Sequence, residues 1–554
     1  MTDPQASNKP ARKVTLYRNG SVYTAADPFA SAMLVDGDTV AWVGSEQAAS
    51  SIADGSMEII DLKGALLAPG FVDSHVHLTE TGLAMDSLDL SGVGSAAELL
   101  DAVAAAAGPG IVLGHGWDES TWPDRALPSR EELERASGGR AVYLSRVDAH
   151  SALVSSSLAA AAHLSAPRRS LSEDHSDSQV KRADNAAARL ASRQFPESVI
   201  RQYQERALAE AAANGYVAVA EMSAPHIGSL LDLQVAAGWN GIESGAAYPE
   251  IFAYRGELAT SEEHARSLLE GFGVPVRGLA GDLNMDGSIG SRTAALREDY
   301  SDAPGERGSL FLSVDQAAAH LAACSLLGVQ AGFHVIGDAG LDAALDALDL
   351  AAKDVGEQRV RSAGHRLEHV EMADREAISR LARHAVTISA QPAFDAAWGR
   401  EGGLYQERLG RRHHLMNPFA SLYAEGVPIC FGSDSPVTPL RPWESVRACL
   451  EHSNPDQRIS ARAAFLGHTR AGWRAVKHSN PMAGQLVPGA PASFAVWEVE
   501  ELMVQVADDR VQSWSTDPRA RTPLLPALDA GSKPLCLQTV RDGRELYAHE
   551  ALRA

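Results

Sequence analysis

Cysteine is scarce in this sequence of 554 residues: there are four, and no two of them form a CxxC pair. We therefore expect neither a disulfide framework nor a zinc site built from thiolates, and reduced thiols point to the cytoplasm. Aromatic residues make up only 6% of the chain, which argues against a protein that binds nucleic acid by stacking on its bases. The first residues, MTDPQASNKPARK, lack the apolar core of a secretory signal. No apolar run reaches the roughly 18 residues of a membrane span.

Positively charged residues are fewer than negatively charged ones. Lys and Arg number 49 against 71 Asp and Glu, a formal net charge of −22. Nucleic acid and anionic membrane surfaces both require a positive field, so neither is expected as a partner. The hydrophobic fraction of 45% and the charged fraction of 22% are those of a folded globular protein. We expect a small-molecule substrate, and a homodimer is left open.

Strand-like segments occupy both ends of the chain, and short apolar strands alternate with Ala-rich helical segments between them. About eight such alternating units predict an α/β fold, a (β/α)8 TIM-type barrel. The predicted divisions are a strand-rich N-terminal segment over 1–66, a barrel over 67–485, and a strand-rich C-terminal segment over 486–554. A polar insertion over about 165–197 is expected at the surface, with a helical second half. The irregular stretch over about 393–417 is a candidate active-site loop.

The segment GFVDSHVHL carries the strongest local signal, with His75 and His77 directly after an apolar strand. Alternate residues of a strand face the same way, so this pair can direct two imidazoles at one point. Alone, the spacing is equally typical of two unconnected loop histidines.

Three further residues follow later strand-like segments: His334 in GFHVIGD, His369 in RLEHV and Asp434 in ICFGSDSP. The carboxyl ends of all strands in a barrel open on one mouth, so these distant side chains could converge there. Imidazoles with a carboxylate suit a divalent metal such as Zn²⁺. For each histidine taken singly, a core or capping role is the commoner explanation.

Together with other motifs, the chain resembles the amidohydrolase superfamily, in the branch similar to N-substituted formamide deformylases. The motifs run in the expected order from about residue 65 to 497: APGFVDSHVHL, GHGWDESTWP, YLSRVDAHSALVSSSL, DGSIGSRTAAL, FHVIGDAG, RLEHV, SAQP, FGSDSP and HTRAGW…GQLVPGAPASFAVW. The resemblance implies a (β/α)8 barrel beside a small β-sandwich formed from the N- and C-terminal segments. It also implies a metal centre of His75 and His77 from strand 1, His334 from strand 5, His369 from strand 6 and Asp434 from strand 8.

One position departs from the pattern of the resembled branch. Relatives often carry a lysine before the DG-S-x-G-S motif, which bridges two metals when it is carboxylated. Asp282 stands at that approximate place here. An aspartate can ligate a metal but is shorter than a carboxylated lysine, so one ion or two remain open, with Zn²⁺ as the expected metal.

The predicted function is a metal-dependent hydrolase that cleaves a non-peptide C–N bond, in an N-acyl or N-formyl amide or a cyclic amide, by metal-activated water. Asp434 is the predicted general base and then general acid. His369 is either a ligand or a group that orients the water. A deaminase or an ester hydrolase on the same centre is the alternative, and a catalytically degenerate binding scaffold is a third.

Five more residues, all near predicted strand ends, are candidates for binding the substrate. Arg146 could hold a substrate carboxylate, although a structural salt bridge is as plausible. Packing is the simpler role for Trp117, and a structural role is favoured for Asp286 and Arg292. The full set is Arg146, His150, Trp117, Asp286 and Arg292.

Overall fold

The computed structural model describes residues 13–106, 108–164, 176–241, 247–505, 514–515, 523–528, 531 and 533–553. The first part of the predicted polar insertion, 165–175, lies outside these residues. None of the described helices combines the length and the apolar character that a membrane span requires.

Eight parallel strands at the centre of the molecule carry the residues predicted to form the site. Almost every residue in them is buried, as expected for parallel strands that are covered on both faces. They are β1 (Phe71–Val76), β2 (Tyr216–Ser223), β3 (Glu250–Arg255), β4 (Gly278–Leu279), β5 (Gln330–Val335), β6 (Arg366–His369), β7 (Thr387–Ala390) and β8 (Ile429–Phe431).

These strands pair as two parallel sheets, in the orders β3-β2-β1 and β4-β5-β6-β7-β8. Their edges meet in isolated contacts. Val76 forms a single parallel bridge with Ser435, and the Arg277 amide donates to the Ala253 carbonyl at 2.8 Å. The strand pairing of the described residues is therefore not the single closed barrel that the sequence predicts, because short contacts replace continuous ladders at both edges.

Helices connect the parallel strands and cover their outer faces. Helix Val314–Leu327 shows how the sequence sets their limits: Ser313 and Gln316 form a capping box, and Gly328 ends the helix with φ of +69°. The α-helices of the described residues are Glu46–Ile52, Leu78–Ala84, Ala96–Ala105, Arg130–Ala136, Ser156–Ala161, Arg182–Ser192, Glu197–Ala213, Leu230–Gly238, Glu262–Gly271, Val314–Leu327, Asp338–Val355, Glu357–Ala363, Arg375–His384, Pro392–Phe394, Leu404–Leu409, Phe419–Ala424, Pro442–Leu450, Ala461–Gly467, Arg470–Ala475 and Glu550–Arg553.

The two ends of the chain share one sheet. Its strands, in order, are Ser21–Val22, Leu66–Pro69, Phe494–Glu498, Leu535–Arg541 and Arg544–Ala548. A four-stranded sheet of Thr39–Gly44, Ala32–Asp36, Val14–Arg18 and Glu58–Asp61 and a three-stranded sheet of Trp514–Ser515, Leu502–Gln505 and Leu525–Pro526 complete this region. Strand Leu66–Pro69 crosses the predicted division between residues 66 and 67, so the domain limits stay predictions.

A long segment between β1 and β2 adds a five-stranded sheet of Leu88–Asp89, Val112–Trp117, Val142–Arg146, Ser151–Val154 and Gln179–Lys181. Helix Arg182–Ser192 follows directly and supplies the helical second half expected of the polar insertion. This helix also lines a cavity at the carboxyl ends of the parallel strands.

Candidate functional site

The ends of the parallel strands bring the predicted metal-binding side chains together. His75 and His334 lie within β1 and β5, and His369 is the last residue of β6. His77, Asp282 and Asp434 follow β1, β4 and β8. All six side chains are buried, with at most 8% of each residue exposed. The convergence depends on parallel strands, whose carboxyl ends open on the same side.

Asp282 and Asp434 lie between the two histidines of the HxH pair. His75 Nε2 is 3.4 Å from Asp282 Oδ1 and 3.4 Å from Asp434 Oδ1. His77 Nε2 is 3.2 Å from Asp282 Oδ2 and 3.1 Å from Asp434 Oδ1. Asp282 thus reaches the centre despite its short side chain.

His369 and His334 close the other side of the centre. The ring centroid of His369 is 5.1 Å from that of His75 and 4.4 Å from that of His334. His369 has a φ of +71°, a left-handed conformation that costs a non-glycine residue energy. Its Nδ1 lies 2.7 Å from Gln391 Oε1, an acceptor, so Nδ1 carries the hydrogen and Nε2 keeps a lone pair.

Glu368 was not singled out from the sequence, although it directly precedes His369. Its Oε2 accepts a hydrogen bond from His75 Nδ1 at 2.9 Å, which leaves His75 Nε2 free as a ligand atom. The Arg366 guanidinium, itself fully buried, binds both carboxylate oxygens of Glu368 at 2.6 and 2.9 Å. In β6, the charged residues Arg366 and Glu368 stand at alternate positions. A charge that is buried in a strand requires a partner, so this alternation is the sequence signal for the pair.

Asp73 holds β1 against the segment after β8. Its Oδ1 accepts from the amides of His75 at 3.1 Å and Ser433 at 3.0 Å. The Asp434 amide in turn donates to the His75 carbonyl at 2.8 Å. These bonds fix the spacing between the HxH pair and Asp434.

The electrostatics of this centre favour a bound cation. Burial opposes a proton on His75, but the Asp282 and Asp434 carboxylates outweigh it and raise the pKa of His75 to about 10. Burial and the nearby His369 and His150 hold the pKa of His334 well below its usual range. The carboxylates therefore attract a cation, while His334 stays neutral and available as a ligand.

The donor set fits a divalent metal ion. Several of its buried atoms have no hydrogen-bond partner among the described residues: His75 Nε2, His334 Nδ1, His369 Nε2, Asp282 Oδ1 and Asp434 Oδ1. Such atoms are costly to bury unless a cation or water satisfies them. Two triads have ligand atoms within 4.8 Å of one another, His75–His77–Asp282 and His75–His369–Asp434. Imidazole and carboxylate donors of this kind are typical of Zn²⁺ and related divalent metals.

A cavity of about 470 Å³ opens over the centre, and Asp282, His334, Asp434 and His77 lie in its wall. His150, a predicted substrate-binding residue, lines the same cavity, with its ring centroid 4.9 Å from that of His334. Burial lowers the pKa of His150, outweighing the opposing Asp148 carboxylate. His150 is thus a neutral ring next to the metal-binding side chains.

Arg146 and Trp117 do not line this cavity. Arg146 is enclosed by carboxylates, with Asp118 at 2.6 Å, Glu119 at 2.8 Å and Asp148 at 3.3 Å. The Trp117 ring is fully buried, and its Nε1 donates to the Leu144 carbonyl at 2.9 Å. Of the alternatives open from the sequence, Arg146 forms the structural salt bridge and Trp117 packs in the core. Substrate contact by either residue stays a prediction.

Asp286 and Arg292 also lie away from the cavity wall. The Asp286 carboxylate accepts from the amides of Ala295, Ile336 and Gly337 at 2.8 to 2.9 Å. Arg292 pairs with Asp302. Both side chains shape loops, which is the structural role favoured from the sequence, and substrate contact by either residue stays a prediction.

The stretch over 393–417 does reach the centre. The Phe394 ring stacks parallel to His369, with a centroid distance of 6.0 Å. The Tyr405 hydroxyl donates to the buried Glu371 carboxylate at 2.6 Å. A small cavity of about 30 Å³ behind His369 is bounded in part by Phe394, Trp398 and Tyr405.

Comparison with known proteins agrees with this geometry. Residues 58–547 match the Amidohydrolase family. The chain is 27% identical to Protein LONG AFTER FAR-RED 3 of Arabidopsis thaliana over 529 residues, 87% of this chain and 86% of that protein. It is 23% identical to N-substituted formamide deformylase of Arthrobacter pascens over 529 residues, 88% of this chain and 95% of that protein.

Among solved structures, the chain resembles an uncharacterized metal-dependent hydrolase from Pyrococcus furiosus. The TM-score is 0.66 at 26% identity, covering 87% of this chain and 98% of that one. The resemblance drawn from the sequence motifs is confirmed by these matches.

Proposed function

This chain belongs to the amidohydrolase family, and from that premise we propose that it is a hydrolase that cleaves a non-peptide C–N bond of a small molecule. The substrate class is an N-acyl or N-formyl amide or a cyclic amide. The proposal includes Zn²⁺ as the metal and a cytoplasmic location. It also takes β1 to β8 as a TIM-type barrel whose two sheets meet through short contacts.

One observation carries the proposal. Two HxH imidazoles, two further histidines and two carboxylates converge beside one cavity, and four of these side chains line it. Several of their buried ligand atoms have no hydrogen-bond partner among the described residues. A binding scaffold without catalysis has no need of such a costly arrangement.

His75, His77, Asp282 and Asp434 would hold the metal ion, with His369 and His334 beside it. A divalent metal at such a site supplies positive charge that polarises a carbonyl oxygen and lowers the pKa of water toward about 7. We propose a single tightly bound ion, because both ligand triads need the same Nε2 of His75. Its Nδ1 is already bound to Glu368.

Asp434 is the proposed proton carrier. In the part of the chain that the structure describes, its Oδ1 has no hydrogen-bond partner, and it lies 3.1 Å from His77 Nε2 in the cavity wall. It accepts a proton from the water that attacks the amide carbon, then delivers that proton to the leaving nitrogen as the C–N bond breaks. The neutral His150 ring is placed to contact the carbonyl group.

The variant Asp434→Asn tests this role. The amide keeps the shape of the side chain but cannot accept the proton, so we expect turnover to fall by about 10²- to 10⁴-fold. Circular dichroism and metal analysis should show an intact fold that retains most of its metal. Turnover near the wild-type rate would remove Asp434 from proton transfer.

A substrate panel separates the proposal from its alternatives on the same centre. N-formyl, N-acetyl and cyclic amides are assayed beside matched esters and aminated heterocycles, with product identified by mass spectrometry. The proposal expects amides to be cleaved with the highest kcat/KM. Preferential ester cleavage or release of ammonia from the heterocycles would favour an ester hydrolase or a deaminase instead.

A further inference from the structure

The cavity over the metal-binding side chains has one wall that is rich in arginine. Helix Arg182–Ser192 and the residue after it form this wall. Arg182, Arg189 and Arg193 all line the cavity there. This concentration of positive charge is local, because the whole chain has a net charge of −22. A positive wall inside an acidic protein needs either protein carboxylates or an anionic ligand to balance it.

Arg193 and Arg182 are accounted for. Arg193 forms an ion pair with Glu80. Arg182 is exposed at the start of the helix and lies over the Phe311 ring, with the guanidinium carbon 5.9 Å from the ring centroid. Neither of them is a buried charge that lacks compensation.

Arg189 differs from both. Only 6% of the residue is exposed. Its Nε donates to the Tyr143 hydroxyl at 3.3 Å and its Nη2 to the Ala149 carbonyl at 2.6 Å. Both acceptors are neutral. Among the described residues, Nη1 has no hydrogen-bond partner and no carboxylate lies within ion-pair distance of the guanidinium.

The four carboxylates that line the same cavity, those of Glu80, Asp148, Asp282 and Asp434, are already engaged elsewhere. Glu80 pairs with Arg193. Asp148 pairs with Arg146 and accepts hydrogen bonds from Ser288 and Ser291 at 2.8 Å. Asp282 and Asp434 lie between the HxH histidines. Arg189 is therefore a buried cation, set in the cavity wall, that the described part of the protein leaves unpaired.

We propose that Arg189 binds a carboxylate of the substrate, so that the natural substrate is an anionic amide with its scissile carbonyl at the metal-binding side chains. This inference rests on the proposed function. A guanidinium edge matches the two oxygens of a carboxylate, and such charge-assisted bonds strengthen in a site shielded from water. The Tyr143 and Ala149 contacts hold the guanidinium in one orientation before the substrate arrives.

Matched amides test the proposal in the metal-loaded enzyme. N-acetyl and N-benzoyl amino acids are compared with the corresponding amino-acid amides, and monoamides of dicarboxylic acids with their neutral counterparts. We expect the carboxylate member of the preferred pair to have a kcat/KM about 10- to 100-fold higher, mainly through KM, as for a charge-assisted hydrogen bond. Equal kcat/KM values within every pair would overturn the proposal.

Variants then attribute the preference to this residue. Arg189→Met should lower kcat/KM for the carboxylate member at least about 10-fold more than for the neutral member. Arg189→Lys should recover part of the preference. Arg266→Met removes an exposed arginine that pairs with Glu262, so it serves as the charge control and should keep the preference. A preference that survives in Arg189→Met would contradict the assignment.

Two further measurements keep the outcome decisive. If Arg189→Met does not fold, Arg189→Gln, which retains a donor toward Ala149, replaces it.

Binding of phenylacetate, phenylacetamide and phenylphosphonate to wild type and variant is measured by calorimetry, independently of turnover. Loss of phenylacetate affinity in the variant supports the carboxylate site, whether or not any amide is cleaved. Absence of amide cleavage would refute the proposed function but not the carboxylate site. Selective loss of phenylphosphonate affinity would overturn the carboxylate assignment.

Discussion

Glu368 joins two buried groups, the imidazole of His75 and the guanidinium of Arg366. Because both partners are fully buried, neither can turn to solvent if the carboxylate is lost. Arg366 is also held by the Ser74 carbonyl, which accepts from its Nη2 at 2.8 Å. The orientation of one metal-binding imidazole thus depends on a carboxylate that never reaches the cavity.

The variant Glu368→Gln should lower metal affinity by about 10- to 100-fold. It should also cost about 3–5 kcal/mol of stability, because Arg366 is left as an uncompensated buried charge. Competition with a chromogenic chelator measures the first effect, and urea unfolding the second. Glu262→Gln, at an exposed ion pair, is the control. Wild-type metal affinity in Glu368→Gln would show that His75 needs no such partner.

At this scale, the side chains predicted as ligands converge, whereas of the five predicted substrate contacts only His150 lines the cavity. His75, His77, His334, His369 and Asp434 lie in or shortly after strands, and the carboxyl ends of parallel strands open on one side whatever course the loops take. The direction of a loop side chain has no such rule. Asp286, for example, turns inward to three amides contributed by residues 9 to 51 positions away. Glu368 was missed because its partner His75 is 293 residues distant.

At the scale of elements, β1 and the segment after β8 pack with almost no space between them. A Cβ added to Gly432 would lie 2.5 Å from the His75 amide nitrogen and 2.8 Å from Asp73 Oδ1. Both distances are too short for real contacts. The absence of a side chain at residue 432 is therefore a condition for placing the HxH pair beside Asp434.

The variant Gly432→Ala should push these two segments apart. We expect a loss of about 1–3 kcal/mol of stability, typical of overpacking, together with weaker metal binding, because His75 moves. Thermal unfolding and metal analysis by mass spectrometry measure the two effects. Gly92→Ala, where an added Cβ would meet no atom within 4 Å, is the matched control. Full metal occupancy in Gly432→Ala would contradict the packing argument.

Helix Arg182–Ser192 shows what local pattern could not predict. Its helical character follows from its composition, but its position against the cavity depends on the pairing of Gln179–Lys181 with Ser151–Val154. That pairing depends in turn on the fold of the whole inserted sheet. Likewise, alternation predicted about eight strand–helix units, but it could not tell strands of the inserted sheet, such as Val112–Trp117, from β1 to β8. Nor could it predict the division of β1 to β8 into two hydrogen-bonded sheets.

At the scale of the whole molecule, several buried histidines outside the site affect stability toward acid. Burial lowers the pKa of His320 to about 4 and that of His468 to about 3. Burial, with the nearby charge of His320, lowers the pKa of His365 to about 3. The Ala331 amide donates to His365 Nδ1 at 3.0 Å, a bond that requires an unprotonated ring nitrogen.

Stability should therefore fall as the pH falls from about 6.5, where the unfolded histidines begin to bind protons while the native ones do not. Between pH 6.5 and 5 each such histidine contributes a loss of about 2 kcal/mol. Urea unfolding at pH 7 and pH 5 measures the change. His365→Gln should reduce the dependence on pH, and His264→Gln, at an exposed site, should not. An unchanged dependence in His365→Gln would exclude this residue as a cause.

The most direct test of the central claim is amide hydrolysis as a function of bound metal. Protein stripped with a chelator is titrated with Zn²⁺, Mn²⁺ or Fe²⁺, and bound metal and turnover of the best amide are followed together. We expect no turnover without metal and recovery that saturates at about one equivalent per chain, with uptake abolished in a His75→Ala, His77→Ala double variant. Full turnover in the stripped protein, or no metal uptake by the wild type, would contradict the central claim.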